Sequence, residues 1–251
     1  MFSLKGKIAF ITGSSRGIGF GIARALAGQG ADIRLSGVHR EGLDAAVEEL
    51  ARDFPERHIT GITCDVTSQA SVDAAMAAIQ GQGGIHILVN NAGINLRAPV
   101  EDMPDDIWQR MLDTDVTGVF RVSRAALPLL KARGGKVINL CSLMSEIARP
   151  GIAPYAAAKG AVRQLTRALA TEWAPYNIQV NGVAPGFIAT DMNKPLMADA
   201  DLNGYIMRHT PAKRWGTVDE VGSVAAFLAS PAADFVTGQI VFVDGGFMAS
   251  L

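Results

Sequence analysis

Residues 8–19 read Ile8-Ala9-Phe10-Ile11-Thr12-Gly13-Ser14-Ser15-Arg16-Gly17-Ile18-Gly19, an apolar run that passes into a glycine-rich turn and then into the amphipathic stretch Gly19–Leu26. A strand, a glycine turn and a helix in that order open a βαβ unit. The glycines let the backbone approach a pyrophosphate, and the unpaired amides at the helix N-terminus favour its negative charge. The spacing is G-x-x-x-G-x-G, not the G-x-G-x-x-G of the general dinucleotide fingerprint. Alone, such a turn can be nothing more than a tight bend. Its place after the first strand favours a dinucleotide cradle built from Gly13, Ser15, Arg16, Gly17, Ile18 and Gly19.

Further apolar runs follow at Ile33–Leu35, Ile59–Ile62, Ile85–Val89, Lys136–Leu140, Ile178–Val183 and Ile240–Val243. Helix-like stretches separate them at Leu43–Ala51, Val72–Ile79, Ile107–Leu130, Ala156–Glu172 and Val218–Leu228. Near-continuous apolar strands alternating with helices indicate a parallel sheet covered on both faces. The expectation is one α/β domain over residues 1–251, a doubly wound (Rossmann) sheet of seven parallel strands. Residues 194–214 break the rhythm, with Pro195, Met197, Met207 and Pro211 on a weakly amphipathic stretch, and are read as a substrate lid.

The composition narrows the function. The 251 residues carry 23 Lys plus Arg against 24 Asp plus Glu, a formal net charge of -1, which argues against a nucleic-acid or membrane-surface partner. With 49% hydrophobic residues there is material for one large core. Near the N-terminus only four apolar residues follow Lys7, too few for a signal-peptide core of about 7–15. No apolar run approaches the roughly 20 residues that a bilayer demands. Two cysteines, Cys64 and Cys141, make no disulfide framework. A cytoplasmic location is the reading. His58, His86 and His209 show no ligand spacing, so no metal is expected.

The second run ends near Ser36-Gly37, where an NAD enzyme often places an acid about 20 residues beyond the loop to hold the ribose 2′-hydroxyl. Here Gly37 is followed by Val38-His39-Arg40. No carboxylate repels a 2′-phosphate, and Arg16, His39 and Arg40 are candidates to meet one, which favours NADP while leaving NAD open.

Ser142 follows the fifth run, and Tyr155-Ala156-Ala157-Ala158-Lys159 lies thirteen residues further on. Tyr155 and Lys159 are four apart on a predicted helix and share a face. A phenol ordinarily titrates near pH 10, and an adjacent ammonium stabilises the phenolate. Such a pair can exchange a proton with a hydroxyl or carbonyl, and Ser142 can hydrogen-bond the same oxygen.

With the glycine loop, these residues make the chain resemble the short-chain dehydrogenase/reductase family over essentially its whole length. Asp65-Val66, Asn90-Asn91-Ala92-Gly93 and Pro185-Gly186 are further matches. The resemblance implies hydride transfer between substrate carbon and nicotinamide, with Ser142, Tyr155 and Lys159 catalytic. It implies cofactor contacts from Asp65, Val66, Asn91, Ala92, Gly93, Pro185, Gly186, Ile188 and Thr190, with Tyr155 and Lys159 beside the nicotinamide ribose. Homotetramers are usual in the family, and the apolar end Phe247–Leu251 is a candidate contact with a neighbour. The fourth catalytic position departs from the pattern: where members carry an Asn on the long fifth helix, supporting a water relay that ends at the Lys, this chain has Asp115. Asp115 serves there with its proton kept or its charge stabilised by Lys159, or else alters the relay and moves the rate or pH optimum. An amide donates and accepts, whereas an ionised carboxylate only accepts.

The stretch Asn139–Tyr155, with Arg208–Gly216 and Phe242–Gly246, resembles the gluconate 5-dehydrogenases within that family. That implies a small sugar-acid substrate, gluconate or 5-ketogluconate, whose carboxylate needs a cation and whose hydroxyls need polar partners. Arg97, Ser142, Ser145, Glu146 and Arg149 are the candidates; Glu146 with Arg149 as a local ion pair is the bland alternative. Three other functions stay open: a carbonyl reductase of another class, such as a 3-oxoacyl-carrier-protein reductase, another polyol or sugar dehydrogenase, and a dinucleotide-binding sensor in which Asp115 marks lost catalysis.

Overall fold

The structure, a computed structural model, describes residues 1–250; Leu251 lies outside the described residues. The seven apolar runs form strands β1 (Ile8–Ile11), β2 (Asp32–Gly37), β3 (Ile59–Thr63), β4 (Ile87–Asn90), β5 (Gly135–Leu140), β6 (Ile178–Pro185) and β7 (Ile240–Val243). All pair in parallel in the order β3-β2-β1-β4-β5-β6-β7. The order reverses between β1 and β4, and the crevice outside the strands' carboxyl ends at that reversal is where doubly wound sheets bind ligands.

Successive strand residues feed two cores. Ala9, Ile11, Ile33, Leu35, Ile87 and Val89 point to the face covered by α1 (Gly17–Gly28), α2 (Arg40–Asp53) and a later helix. Phe10, Leu88 and Val137 point to the other, covered by α3 (Gln69–Gly81) and the helices that follow β4 and β5. Phe10 and Ile11 are both fully buried, and each such side chain contributes about 1.5–3 kcal/mol relative to an exposed one.

The expected single helix Ile107–Leu130 is divided. The chain forms α4 (Asp105–Leu112), a π turn over Asp113–Thr117, and α5 (Gly118–Lys131). A π turn carries one residue more per hydrogen-bonded loop than an α turn, and such bulges are frequent at functional sites. Gly118 is required at its end, because a Cβ there would lie 2.8 Å from Val66 Cγ2. The residue carried inward by the wide turn is Asp115, fully buried.

After β5 comes α6 (Ala153–Trp173), and after β6 the chain forms α7 (Lys194–Ala198) and α8 (Ala200–His209) over the span read as a lid. Asp199 caps α8, accepting from Asp201 N and Leu202 N. Leu196 and Ile206 are buried beneath them. The last helix, α9 (Val218–Ala229), begins with a Thr217/Glu220 capping box. Arg214 hydrogen-bonds Glu220 and, with the Thr217 backbone, pulls its carboxyl down to about 2. Helices α9 and α1 meet across the glycine Gly222, where a Cβ would stand 2.8 Å from Gly21 O.

Candidate active site

The glycine loop is shaped by contact with the loop after β4. Gly13 has φ +61°, and a Cβ there would lie 2.8 Å from Ala92 Cα. Gly17 has φ +60° with nothing within 4 Å of a Cβ position, so open space stands over the loop at the start of α1. Arg16 caps α1 in an extended conformation without a side-chain bond to the helix. The amides of the first turn are therefore free to receive an anion. Asn91 Nδ2 donates to the carbonyls of Thr12 (2.9 Å) and Gly13 (2.8 Å), and Gly19 lies directly against that amide. Asn91 shapes the loop through its own side chain. The cradle, its positive φ angles and its unpaired amides fit a pyrophosphate.

The other cofactor candidates fall around the same end of the sheet. Ile18 packs against the core beneath the loop. A Cβ at Gly37 would be 3.5 Å from Ser15 Oγ, which puts Ser15 beside the end of β2. His39 is exposed at the N-cap of α2. Arg40 is ion-paired to Asp44 at 2.9 Å within α2, which leaves Arg16 as the candidate cation with no ion pair among the described residues. Asp65 Oδ1 accepts from Thr67 N (2.9 Å) and Oγ1 (2.7 Å), an Asx turn that fixes the loop after β3. The Val66 side chain is buried in the core. Pro185 ends β6; Gly186 donates to Val243 O at 2.9 Å and has no room for a Cβ, which would be 2.8 Å from Asp244 Cα. Ile188 is buried and bridges to Gly216, and Thr190 precedes the turn leading to α7.

Ser142 and Ser145 close a capping box over the turn after β5. Ser142 N donates to Ser145 Oγ at 3.2 Å, and Ser142 Oγ accepts from Met144 N at 3.2 Å. The hydroxyl proton of Ser142 is left for another acceptor. Tyr155 and Lys159 lie one turn apart on α6, with the Lys159 ammonium 5.5 Å from the phenol ring centroid. Lys159 is buried; its Nζ donates to Leu140 O at 3.0 Å and stands 3.2 Å from Asp115 Oδ2. Asp115 Oδ1 accepts from Ile94 N at 2.8 Å. Burial alone would lower the Lys159 pKa, but the charge of Asp115, with those of Tyr155 and Cys141, outweighs it and leaves the ammonium above the ordinary lysine value.

The substrate candidates separate. Glu146 does not pair with Arg149. Its Oε1 lies 2.6 Å from Arg163 Nε, off the N–H axis, as an ion pair one turn beyond Lys159 on α6. Arg149 is half-buried, 5.9 Å over the Phe187 ring. Burial, then the like charge of Arg97, pull its pKa below the ordinary arginine value, while Tyr205 of α8 opposes them. Ala98 N donates to Gly151 O at 3.2 Å, which ties the Arg97 and Arg149 loops together. Two guanidiniums thus face one region, with no acidic partner among the described residues.

This geometry has counterparts in known proteins. A family model described as enoyl-(acyl carrier protein) reductase matches residues 13–248. The gluconate 5-dehydrogenase of Gluconobacter oxydans (strain 621H) is 45% identical, over 100% of this chain and 98% of the relative. The chain belongs to the short-chain dehydrogenase/reductase family. The 5-keto-D-gluconate 5-reductase of Escherichia coli (strain K12) is 43% identical, over 100% of this chain and 99% of the relative. A gluconate 5-dehydrogenase from Burkholderia cenocepacia J2315, crystallised in complex with NADP and tartrate, matches with TM-score 0.95 and 46% identity, over 100% of this chain and 98% of that one.

In this short-chain dehydrogenase/reductase, sequence reasoning missed the layer beneath the site. Asn90 Nδ2 donates to Ser123 Oγ (2.9 Å) and Asn139 Oδ1 (2.8 Å), and Asn139 Nδ2 donates to Thr166 Oγ1 (2.9 Å). All four residues are buried. They bind β4, β5, α5 and α6 together just below Ser142 and Lys159. Asn at the end of two otherwise apolar strand runs was the available signal, since a buried amide has to find partners. In the apolar C-terminal end, Phe247 packs on Phe187, ring centroids 5.3 Å apart, and Met248 borders the cluster around Leu143 and Ile152; both stay partly exposed.

Proposed function

We propose that the chain is an NADP-dependent dehydrogenase of a sugar acid, interconverting gluconate and 5-ketogluconate. The observation that carries this reading is the pair of guanidiniums Arg97 and Arg149, which have no acidic partner among the described residues; Arg149 lies over Phe187, which packs in the same cluster as Tyr155. A substrate with a carboxylate at one end and a secondary alcohol several carbons away fits that arrangement.

When bound, the nicotinamide would supply the hydride acceptor for oxidation and the hydride donor for reduction. Tyr155 takes the hydroxyl proton as the adjacent C–H bond gives up its hydride, and returns it in the reverse direction. Ser142 donates its free hydroxyl proton to the substrate oxygen. Lys159 stabilises the phenolate and, with the cofactor bound, would hold a ribose hydroxyl. Asp65, Val66, Asn91 to Gly93 and Pro185 to Thr190 form the walls, and residues 194–214, which carry α7 and α8, serve as the substrate lid with Tyr205 toward Arg149. The preference for NADP is supported by Gly37 in place of an acid, by the uncommitted Arg16, and by the relative that binds NADP.

Oligomer and compartment are part of the same proposal. The exposed Trp108 and Phe120 on α4 and α5, and the open edge of β7, support a homotetramer. Two unpaired buried thiols fit the reducing cytoplasm. No helix among the described residues is long and apolar enough to cross a membrane.

The deciding experiment is NADP and NAD reduction with gluconate, other sugar acids and neutral polyols, run beside NADPH oxidation with 5-ketogluconate and a 3-oxoacyl thioester. Preferential turnover of gluconate with NADP is expected. Turnover of the thioester alone would overturn the substrate, and NADPH binding with no turnover would overturn the enzyme. A monomer mass by light scattering would overturn the tetramer.

A further inference from the structure

We infer that Asp115 is a positioning residue that sets the pH window of the reaction, holding the buried Lys159 ammonium directly and moving both limbs of the oxidation profile to higher pH. The inference rests on the reading of Tyr155 as acid/base, not on the identity of the substrate.

The geometry is that of a fixed charge pair. Asp115 is fully buried in the π turn, and its Oδ1 is pinned by the Ile94 amide at 2.8 Å. Its Oδ2 faces the Lys159 ammonium at 3.2 Å and has no hydrogen-bond donor of its own among the described residues. Gly93 closes over the carboxylate, where a Cβ would be 2.8 Å from Oδ2. Both groups are buried and each is held by a backbone partner, Asp115 by Ile94 N and Lys159 by Leu140 O, so their charges act on Tyr155 from these positions.

Few other charges compete. Tyr155 lies one turn back on α6, and the Cys141 thiol faces Lys159 from the end of β5. Glu146 is taken by Arg163. In the same π turn, Asp113 accepts from Gln109 at 3.1 Å. Asp105, Asp106 and Arg110 of α4 are exposed, β6 has no titratable side chain, and Lys136 of β5 is paired to Asp234 at 2.6 Å. Asp115 is therefore the dominant partner of the ammonium.

Two effects follow, with the same sign. The carboxylate partly cancels the field that favours the Tyr155 phenolate, so deprotonation needs a higher pH. It also keeps Lys159 charged against the pull of burial, so the loss of activity on the alkaline side comes later. An uncharged residue reverses both.

The test compares wild type with Asp115→Asn, which keeps an acceptor for Ile94 without the charge. Asp115→Ser serves the same purpose should the amide variant fail to fold. In kcat/KM for oxidation, both limbs are expected to move to lower pH by about one unit. The chain has three tyrosines, so 13Cζ-tyrosine NMR gives few resonances, and Tyr155→Phe assigns the relevant one. Its titration is expected to move down in the uncharged variant, a measurement that needs no substrate. Limbs and resonance that stay in place, or move up, overturn the inference. Absence of sugar-acid turnover with a shifted resonance defeats the substrate reading alone.

Discussion

The Glu146 carboxylate lies 2.6 Å from Arg163 on α6 and so leaves Arg149, three residues along its own loop, without a counter-charge among the described residues. A half-buried guanidinium that also feels the like charge of Arg97 gains when an anion arrives. With Glu146 drawn to α6, the charge of Arg149 is left for a ligand.

Arg149→Met and Arg97→Met are expected to raise KM for gluconate by about 10- to 100-fold with kcat little changed, since hydrogen bonds to charged groups contribute about 1.5–3 kcal/mol. Neutral polyols should lose nothing. Steady-state kinetics on both substrate classes checks this, and an equal loss on polyols would remove the carboxylate role.

Tyr155→Phe deletes only the phenolic oxygen. Turnover should fall by about 10²–10⁴, while NADPH affinity, followed by fluorescence, should stay within a few-fold. Retained turnover would take the acid/base role from Tyr155.

Gly13→Ala places a methyl 2.8 Å from Ala92 Cα on a residue held at φ +61°. The strain should cost on the order of 1–3 kcal/mol and widen the gap between the glycine loop and β4. Urea unfolding should show a lower midpoint, and an NADPH titration should show weaker binding; unchanged values in both would show that the loops are free to part.

Burial raises the Cys64 and Cys141 thiols to about 11. Both should resist iodoacetamide at pH 8 in the folded protein and react once it is unfolded, as intact-mass spectrometry would show. The sign of the linkage is definite: a folded pKa above the unfolded value contributes stability below about pH 9 that is lost as pH climbs toward 11. Thermal melts across that window should fall, and less steeply in Cys141→Ala than in wild type.

Asn139→Ala removes the shared partner of Asn90 and Thr166 and should destabilise by about 1–3 kcal/mol. Chemical denaturation gives the value; a change below about 0.5 kcal/mol would mean that water replaces the amide without cost.

Strand runs, the Tyr155/Lys159 spacing and the glycine loop were legible because each follows from local periodicity or from adjacent residues. The π turn was not. Apolar spacing continues through Ile107–Leu130, and the bulge depends on Asp115 meeting Ile94 and Lys159, residues brought close only by the fold. Glu146 was equally opaque: closeness in sequence offered only Arg149 as a local partner, whereas Arg163 comes from the second turn of α6 beyond Tyr155. The Asn90–Asn139 layer was hidden because one sequence shows an amide but not its partner.

The parallel sheet also divides the molecule by end. The candidate groups gather at the strands' carboxyl ends, while Gly83-Gly84 and Gly134, all at positive φ, turn the chain at the opposite end. An insertion at Gly83-Gly84 would therefore sit at the end of the sheet remote from the reaction centre, a place to attach a surface linker or a reporter.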